Sequence, residues 1–344
     1  MPYLDNIETS DTPDFFCNPL HINGSELSDT QKLYSDSELL KVLGDIEDCK
    51  KRAVETSTAL IDFGNDFDWS ERGWAMYHCG DFVAFEGNKI VASNFCRLRL
   101  CPMCQRRKSL KTFSDFCKIL DELKDYAFLH LVLTVPNVEG SELSETLDYM
   151  NRCSSRFFRV KALQKAFKGV ARFTEISYNN KHNNFHPHFH NLIAVKKSYF
   201  TSRDYLKYDY LRALWSAVWL NRKKNLSRLS DDKLLLSDLS DSNKLQIFIT
   251  KADEGALPEI AKYAVKPLMF ECSRRERAEI LQALYEGIHS KRLVQTYGVI
   301  REACRKLKID FDADVVELDT LENCNKIVYN YNHNRSRYER GDTI

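Results

Sequence analysis

His186-Pro187-His188-Phe189-His190-Asn191-Leu192-Ile193-Ala194-Val195 is the stretch on which the reading of this chain turns. The chain holds nine histidines in 344 residues, so three of them within five positions is far above a chance density. From Phe189 the run is apolar and of the right length for a buried strand. Successive strand side chains point to opposite faces, so if Phe189 enters the core, His188 and His190 stand side by side on the other face. Two imidazoles at that separation can share one metal ion. His182 and His186 read as loop residues ahead of the strand.

Upstream, Val170 to Tyr178 reads as a second strand, joined to the first by the polar loop Asn179 to Asn184 in a hairpin. Within it Phe173 and Glu175 share one face, and Thr174 and Ile176 the other. Glu175 is therefore the carboxylate that can complete a two-histidine, one-carboxylate site with positions left for water and a phosphate oxygen. Such a site suits Mg²⁺ or Mn²⁺ acting as a Lewis acid. The plain alternative is a surface hairpin decorated with polar histidines.

Working outward, Tyr126 to Val135 reads as a buried strand ended by Pro136 and Asn137. Ser144 to Phe167 fits a long amphipathic helix with Ser144 as its cap. Tyr205 to Leu220 fits a helix, Leu245 to Thr250 a strand, and Leu257 to Lys266 a helix halted by Pro267. This order predicts an α+β domain with an antiparallel central sheet flanked by helices. On the last helix Glu259 and Tyr263 lie four apart on one face, with Lys266 three further on. Tyr263 is a candidate nucleophile toward phosphorus, and Lys266 could stabilise the developing charge or clamp the phosphate. The same trio is also common on solvated helix faces.

Cys96, Cys101 and Cys104 form a C-x4-C-x2-C pattern whose C-x2-C knuckle is a strong sign of tetrahedral zinc. Cys79 is the choice for the fourth ligand, with His78 beside it and Cys117 as alternatives. Four protein ligands leave no open position, so this zinc is structural. Around it lie Arg97, Arg99, Arg106, Arg107, Lys108 and Lys111, with no acidic residue between Val91 and Phe113. That density suits phosphate contacts, and Lys262 joins the set from the tyrosine helix. A solvated helix face is the alternative.

Composition bounds the rest. A chain of 344 residues with 43% hydrophobic content can hold a catalytic core and an attached module. Its apolar runs fall far short of the roughly 20 residues that span a bilayer, and no signal-peptide pattern opens it, so the expected location is the cytoplasm, with no membrane partner. Eleven cysteines, an odd number, point to reduced thiols or metal ligands rather than a disulfide framework. The net charge of +1 hides an asymmetry: residues 1 to 69 carry −10 and the remainder +11. A basic body implies a polyanionic partner. The expected organisation is an acidic, partly disordered leader with a short helix around Leu33 to Ile46 (1–67), a cysteine-rich zinc-binding basic module (68–125), a catalytic domain (126–270), and a C-terminal helical extension and tail (271–344).

Three blocks in this order, Phe128 to Asn137, His186 to Val195 and Glu259 to Lys266, resemble those of the HUH endonucleases, and more closely the rolling-circle Rep proteins of small bacterial plasmids. The resemblance covers roughly Cys79 to Leu307, and relatives carry a similar cysteine-rich block before the first strand. It implies a metal held by His188 and His190 with a third ligand, and attack by Tyr263 on one strand of single-stranded or extruded plasmid origin DNA. It also implies a 5′-phosphotyrosyl link that leaves a 3′-hydroxyl for a polymerase. Glu259, one turn before the tyrosine, stands where this branch activates the second nucleophile at termination. Relatives often continue past the lysine with an acidic-aromatic segment, whereas this chain has Pro267, Leu268, Met269 and Phe270. No helicase P-loop is present, so a host helicase is implied beside the polymerase. The alternatives are an HUH-type transposase or relaxase, and a non-catalytic zinc-containing DNA-binding regulator.

Overall fold

The computed structural model describes residues 36–86, 89–220, 245–252, 272–313 and 327–341. The fold is α+β, with antiparallel sheets flanked by helices. Its central sheet has five strands, β3 (Tyr126–Thr134), β4 (Phe167–Asn179), β5 (Asn184–Lys196), β6 (Ile247–Ala252) and β7 (Val294–Tyr297), in the order β6-β3-β5-β4-β7. Every pairing in it is antiparallel. The apolar content of β3 and of Leu192 to Val195 in β5 follows from their inner position in the sheet.

One face buries Leu129, Leu131 and Leu133 of β3, Phe189, Ile193 and Val195 of β5 and Val170 of β4. Over it pack α4 (Leu143–Phe158), α6 (Tyr208–Leu220) and α7 (Arg274–Ile288). In α4, Leu143, Leu147, Met150, Cys153 and Phe157 recur at helical spacing and are all buried. Trp215 of α6 is fully buried and fixes the helix to the sheet through its Nε1–H, which donates to the Thr134 carbonyl at 2.8 Å. On the opposite face Phe128, Ala171, Phe173, Leu192 and Ala194 meet Phe116 and Ile119 of α3 (Pro102–Glu122) and Ile300 and Ala303 of α8 (Gly298–Lys306). That apolar patch covers only part of the face. The remainder carries the functional side chains.

The β7-to-α8 turn requires Gly298. Its φ is +56°, and a Cβ there would stand 2.1 Å from the Lys168 carbonyl oxygen.

Several elements depart from the sequence expectation. The helix expected over Ser144 to Phe167 is two: α4 ends at Phe158 and α5 spans Lys161–Ala166, with Val160 in extended conformation between them. Val160 is buried, so the break turns an apolar side chain into the core without needing a proline or glycine. β4 starts at Phe167 rather than Val170, with a register irregularity at Gly169 that masks it in the pattern. His186 is not in a loop: β5 begins at Asn184, and His186 pairs with Ser177 because the hairpin stays in register to its turn. The sheet also gains an edge strand, β7, from the C-terminal part of the chain.

A second sheet, in the order β2-β1-β8-β9, joins β1 (Phe82–Glu86) and β2 (Lys89–Ser93) to β8 (Ile327–Asn332) and β9 (Arg337–Arg340). Beside it, α1 (Asp36–Phe63) runs well past the short helix expected at Leu33 to Ile46 and packs against α2 (Phe67–Tyr77). Its Lys50 is fully buried but satisfied: the ammonium donates to the carbonyls of Tyr77 and Cys79 and to Asp81 Oδ1. The expected leader before residue 36, the linker Asn221 to Asn243 and the helix carrying Glu259, Lys262, Tyr263 and Lys266 lie outside the described residues. Among the described residues no helix is long and apolar enough to cross a membrane.

Candidate active site

Antiparallel register decides which side chains meet. Glu175 of β4 is directly opposite His188 of β5, and Phe173 is opposite His190, so all four share a face. Phe189, between the histidines, points the other way and is fully buried. The carboxylate oxygen Oε2 of Glu175 lies 2.8 Å from His190 Nε2 and 3.1 Å from His188 Nε2. Cis ligands about 2.1 Å from an octahedral ion stand about 3.0 Å apart, so this donor set has the spacing that a hard divalent cation requires. The oxygen and the two imidazoles are the chemistry of a two-histidine, one-carboxylate site, and the three residues form one of the groups able to hold a metal ion.

The backs of the rings are held. His188 Nδ1 is 3.1 Å from the His186 carbonyl oxygen, which fixes the proton at Nδ1 and aims Nε2 at Glu175. His190 Nδ1 is 3.0 Å from Nε2 of His130 on β3, a residue that sequence reasoning passed over. The signal was a lone imidazole in the mostly apolar run Tyr126 to Val135, on the same face as Val132, the residue opposite His190. Burial and the nearby His190 lower the His130 pKa to about 4. Burial pushes the Glu175 carboxyl up, but hydrogen bonds and charge from His188 and His190 outweigh it and leave the group at about 2. His186 turns outward and its Nδ1 lies 2.6 Å from Asn137 Oδ1, tying the strand end to the turn after β3.

The cysteine cluster assembles from three elements. Cys79 follows α2, Cys96 follows β2, and Cys101 and Cys104 flank the N-terminal turn of α3, where Pro102 starts the helix. The four sulfurs converge. Cys104 Sγ is 3.6 Å from Cys79 Sγ and 3.7 Å from Cys96 Sγ, against about 3.8 Å for the edge of a tetrahedron with 2.3 Å metal–sulfur bonds. The amides of Cys96 and Arg97 donate to Cys79 Sγ and Cys104 Sγ, an arrangement that favours thiolates. Burial raises the Cys101 thiol, while hydrogen bonds from Cys101, Cys79 and Cys96 hold Cys104 low. Of the alternatives for the fourth position, His78 turns instead to Asp81 Oδ2 at 2.7 Å, and Cys117 is exposed along α3. The C-terminal hairpin braces the cluster: the Tyr338 hydroxyl donates to the Gly80 carbonyl at 2.5 Å.

The basic residues differ in how freely they face solvent. Arg97 is exposed. Arg99 is exposed too, but its Nη1 donates to the carbonyls of Ile288 and Lys291 at the end of α7. Arg106 is near Asp45, Arg107 lies 4.4 Å over the Phe95 ring, and Lys111 pairs with Asp115 at 2.7 Å. Lys108 is half-buried.

Together these features define an α+β protein with a hard-ligand centre on its main sheet and a four-cysteine centre in a basic lobe. The family model described as "Replication protein" matches residues 87–339, and the chain belongs to that family, the rolling-circle plasmid replication initiators. Among similar proteins, "Protein rep" of Streptococcus pneumoniae serotype 2 (strain D39 / NCTC 7466) is 30% identical over 277 residues, 76% of this chain and 81% of the relative. "Protein rep" of Lentilactobacillus hilgardii is 29% identical over 280 residues, 76% of this chain and 85% of the relative. A "Replication protein" of Staphylococcus aureus is 29% identical over 230 residues, 64% of this chain and 93% of the relative. No solved structure matches the chain.

Proposed function

We propose that this replication initiator acts as an HUH-type, metal-dependent nicking and joining enzyme on one strand of plasmid origin DNA, with Tyr263 as nucleophile. The observation that carries the reading is the convergence of Glu175 Oε2 with the Nε2 atoms of His188 and His190 on one sheet face. A bound Mg²⁺ or Mn²⁺ supplies Lewis-acid polarisation of a phosphate oxygen at such a site. Glu175, His188 and His190 would hold the ion, and His186 and His130 orient the rings.

The Tyr263 oxygen bonds to the phosphorus, its phenolic proton is released, and the bond from phosphorus to the 3′ oxygen breaks. The leaving oxygen takes a proton and becomes a free 3′-hydroxyl, while the 5′-phosphate stays on the tyrosine. Lys266 offsets charge on the phosphoryl oxygens. Joining is the reverse attack by a 3′-hydroxyl, and Glu259 activates the second nucleophile at termination. Cys79, Cys96, Cys101 and Cys104 would hold a zinc ion, which would brace the basic residues around them. Arg97, Arg99, Arg106, Arg107, Lys108, Lys111 and Lys262 serve as phosphate contacts, and a host helicase and DNA polymerase extend the free end.

The test is incubation of the protein and Mn²⁺ with a labelled origin oligonucleotide. A denaturation-resistant adduct is expected for the native chain and none for Tyr263→Phe. A Tyr263→Phe protein that still forms the adduct overturns the assignment, and a native protein that binds origin DNA but never forms one points to a non-catalytic regulator.

A further inference from the structure

On the sheet face opposite Glu175, His188 and His190, a cavity of about 330 Å³ opens between α4 and β7. It is lined by Asn151, Arg152, Ser155, Arg156, Arg159 and Gln295. Arg152, Arg156 and Arg159 follow one another at four- and three-residue spacing along α4 and so share a side of the helix. Their guanidiniums have no carboxylate among the lining residues. Nη1 of Arg156 is buried and has no hydrogen-bond acceptor.

Directly behind the lining stands a fourth arginine. Arg172 of β4 is opposite Gln295 in the sheet register and is 1% exposed. Its Nη2 donates to Asn151 Oδ1 at 2.5 Å, and its guanidinium lies 4.2 Å from the Phe189 ring centroid. Nε and Nη1 are buried without an acceptor among the described residues. Burial pulls this guanidinium down to about 10. Buried cations are ordinarily paired with an anion, and buried N–H groups are ordinarily bonded. Here both conditions fail at the same place, beside three more arginines. An oxyanion in the cavity would supply an acceptor for Arg156 and a countercharge for Arg172 behind the lining. Arginine's planar fork matches a phosphate group in particular.

We infer that this cavity is a phosphate-binding site separate from the Glu175–His188–His190 centre. The phosphate comes either from a free phosphate ligand or from the backbone of bound DNA. The second source rests on the DNA-binding reading above.

The test uses the full chain and an Arg156→Gln/Arg159→Gln double variant, with Lys124→Gln as a remote exposed control. Thermal unfolding is followed across a titration of inorganic phosphate against chloride at constant ionic strength, and duplex origin DNA binding is followed across a salt series. Expected is a saturable rise in Tm with phosphate for the native chain and Lys124→Gln, and a flat response in the double variant. If DNA is the source, the slope of log K against log salt falls by about 2 in the double variant. A Tm response with no change in slope assigns the site to a free phosphate ligand. A slope change with no Tm response assigns it to DNA backbone. No difference between the native chain and the double variant in either measurement overturns the site. A native chain that binds no DNA overturns the DNA-binding reading, and the phosphate titration still decides the cavity. Should the double variant fail to fold, Arg152→Gln, which is exposed, is read in the same way, with a slope change of about 1.

Discussion

His190 Nδ1 lies 3.0 Å from His130 Nε2, with the two rings stacked 5.2 Å apart at 19°. For His190 to present a bare Nε2 to an ion, its proton must sit on Nδ1, so His130 Nε2 must be the acceptor. The low pKa of His130, about 4, keeps its ring neutral at neutral pH, so that one ring nitrogen is left as an acceptor. His130→Phe preserves the ring but removes the acceptor. Mn²⁺ affinity measured by calorimetry should then fall about 10- to 100-fold, the usual cost of losing a partner behind a ligating histidine. His130→Gln, whose amide oxygen can accept, should recover part of it. Unchanged affinity in His130→Phe would leave His130 with no positioning role.

The same cluster predicts an acid dependence of the metal-free protein. Glu175 titrates at about 2 in the fold against an ordinary 4.5, so its folded pKa is depressed. The stability it contributes is therefore fully present above the ordinary value and is lost as the pH falls through the interval toward 2. Urea unfolding in a chelator should show the native chain losing stability over that interval more steeply than Glu175→Gln, which lacks the titrating group. Parallel curves for the two proteins would contradict the pairing of Glu175 with the histidines.

How much of this was legible in the sequence depends on what each residue reports. The alternation across His188, Phe189 and His190, and across Phe173 and Glu175, is local, and the register of the hairpin honours it. The C-x4-C-x2-C spacing of Cys96, Cys101 and Cys104 is local too, whereas Cys79 was a choice beside His78 and Cys117, and it is the fold that brings its sulfur to the other three. His130 was missed because its role comes from the pairing of β3 with β5, sixty residues away, which no periodicity encodes. The pairing of β8 with β1 was missed for the same reason: contact between residues 82–85 and 327–330 is a tertiary fact. Val160 interrupts a helix with no breaker residue, because the core, not propensity, decides that turn. Arg172 reads as an ordinary polar position in a strand. Only burial reveals it as a cation without a counterion among the described residues.

Cys101 tests whether the four-sulfur cluster carries the lobe around it. It is fully buried and is the N-cap residue of α3, which packs on the central sheet through Phe116 and Ile119. Cys101→Ser should abolish the thiolate-to-metal charge-transfer bands of a Co²⁺-loaded protein and lower Tm by several degrees. Binding free energy at such a cluster is folding free energy. A chelator strong enough to strip zinc should reproduce the Tm loss in the native chain and leave Cys101→Ser unmoved. A Co²⁺ spectrum of undiminished intensity in the variant would remove Cys101 from the ligand set.

Arg97 and Arg99 are two residues apart and both exposed, yet they should behave differently. Arg99 Nη1 donates to the Ile288 and Lys291 carbonyls at 3.0 and 2.9 Å, where α7 ends and its carbonyls have no helical partner. Arg99→Gln should therefore cost about 1 kcal/mol of stability, the typical worth of a charge-assisted bond to a helix terminus. Among the described residues Arg97 makes no such bond through its side chain, and its backbone amide is engaged with Cys104 Sγ. Arg97→Gln should leave Tm unchanged and lower the salt slope of DNA binding by about 1, as loss of a single phosphate contact does. Because the outer N–H groups of Arg99 remain free to meet a phosphate, its variant should show both effects. Urea unfolding and a salt series of binding isotherms on the two variants separate the contributions. Equal stability of Arg99→Gln and the native chain would show that the α7 carbonyls do not depend on it.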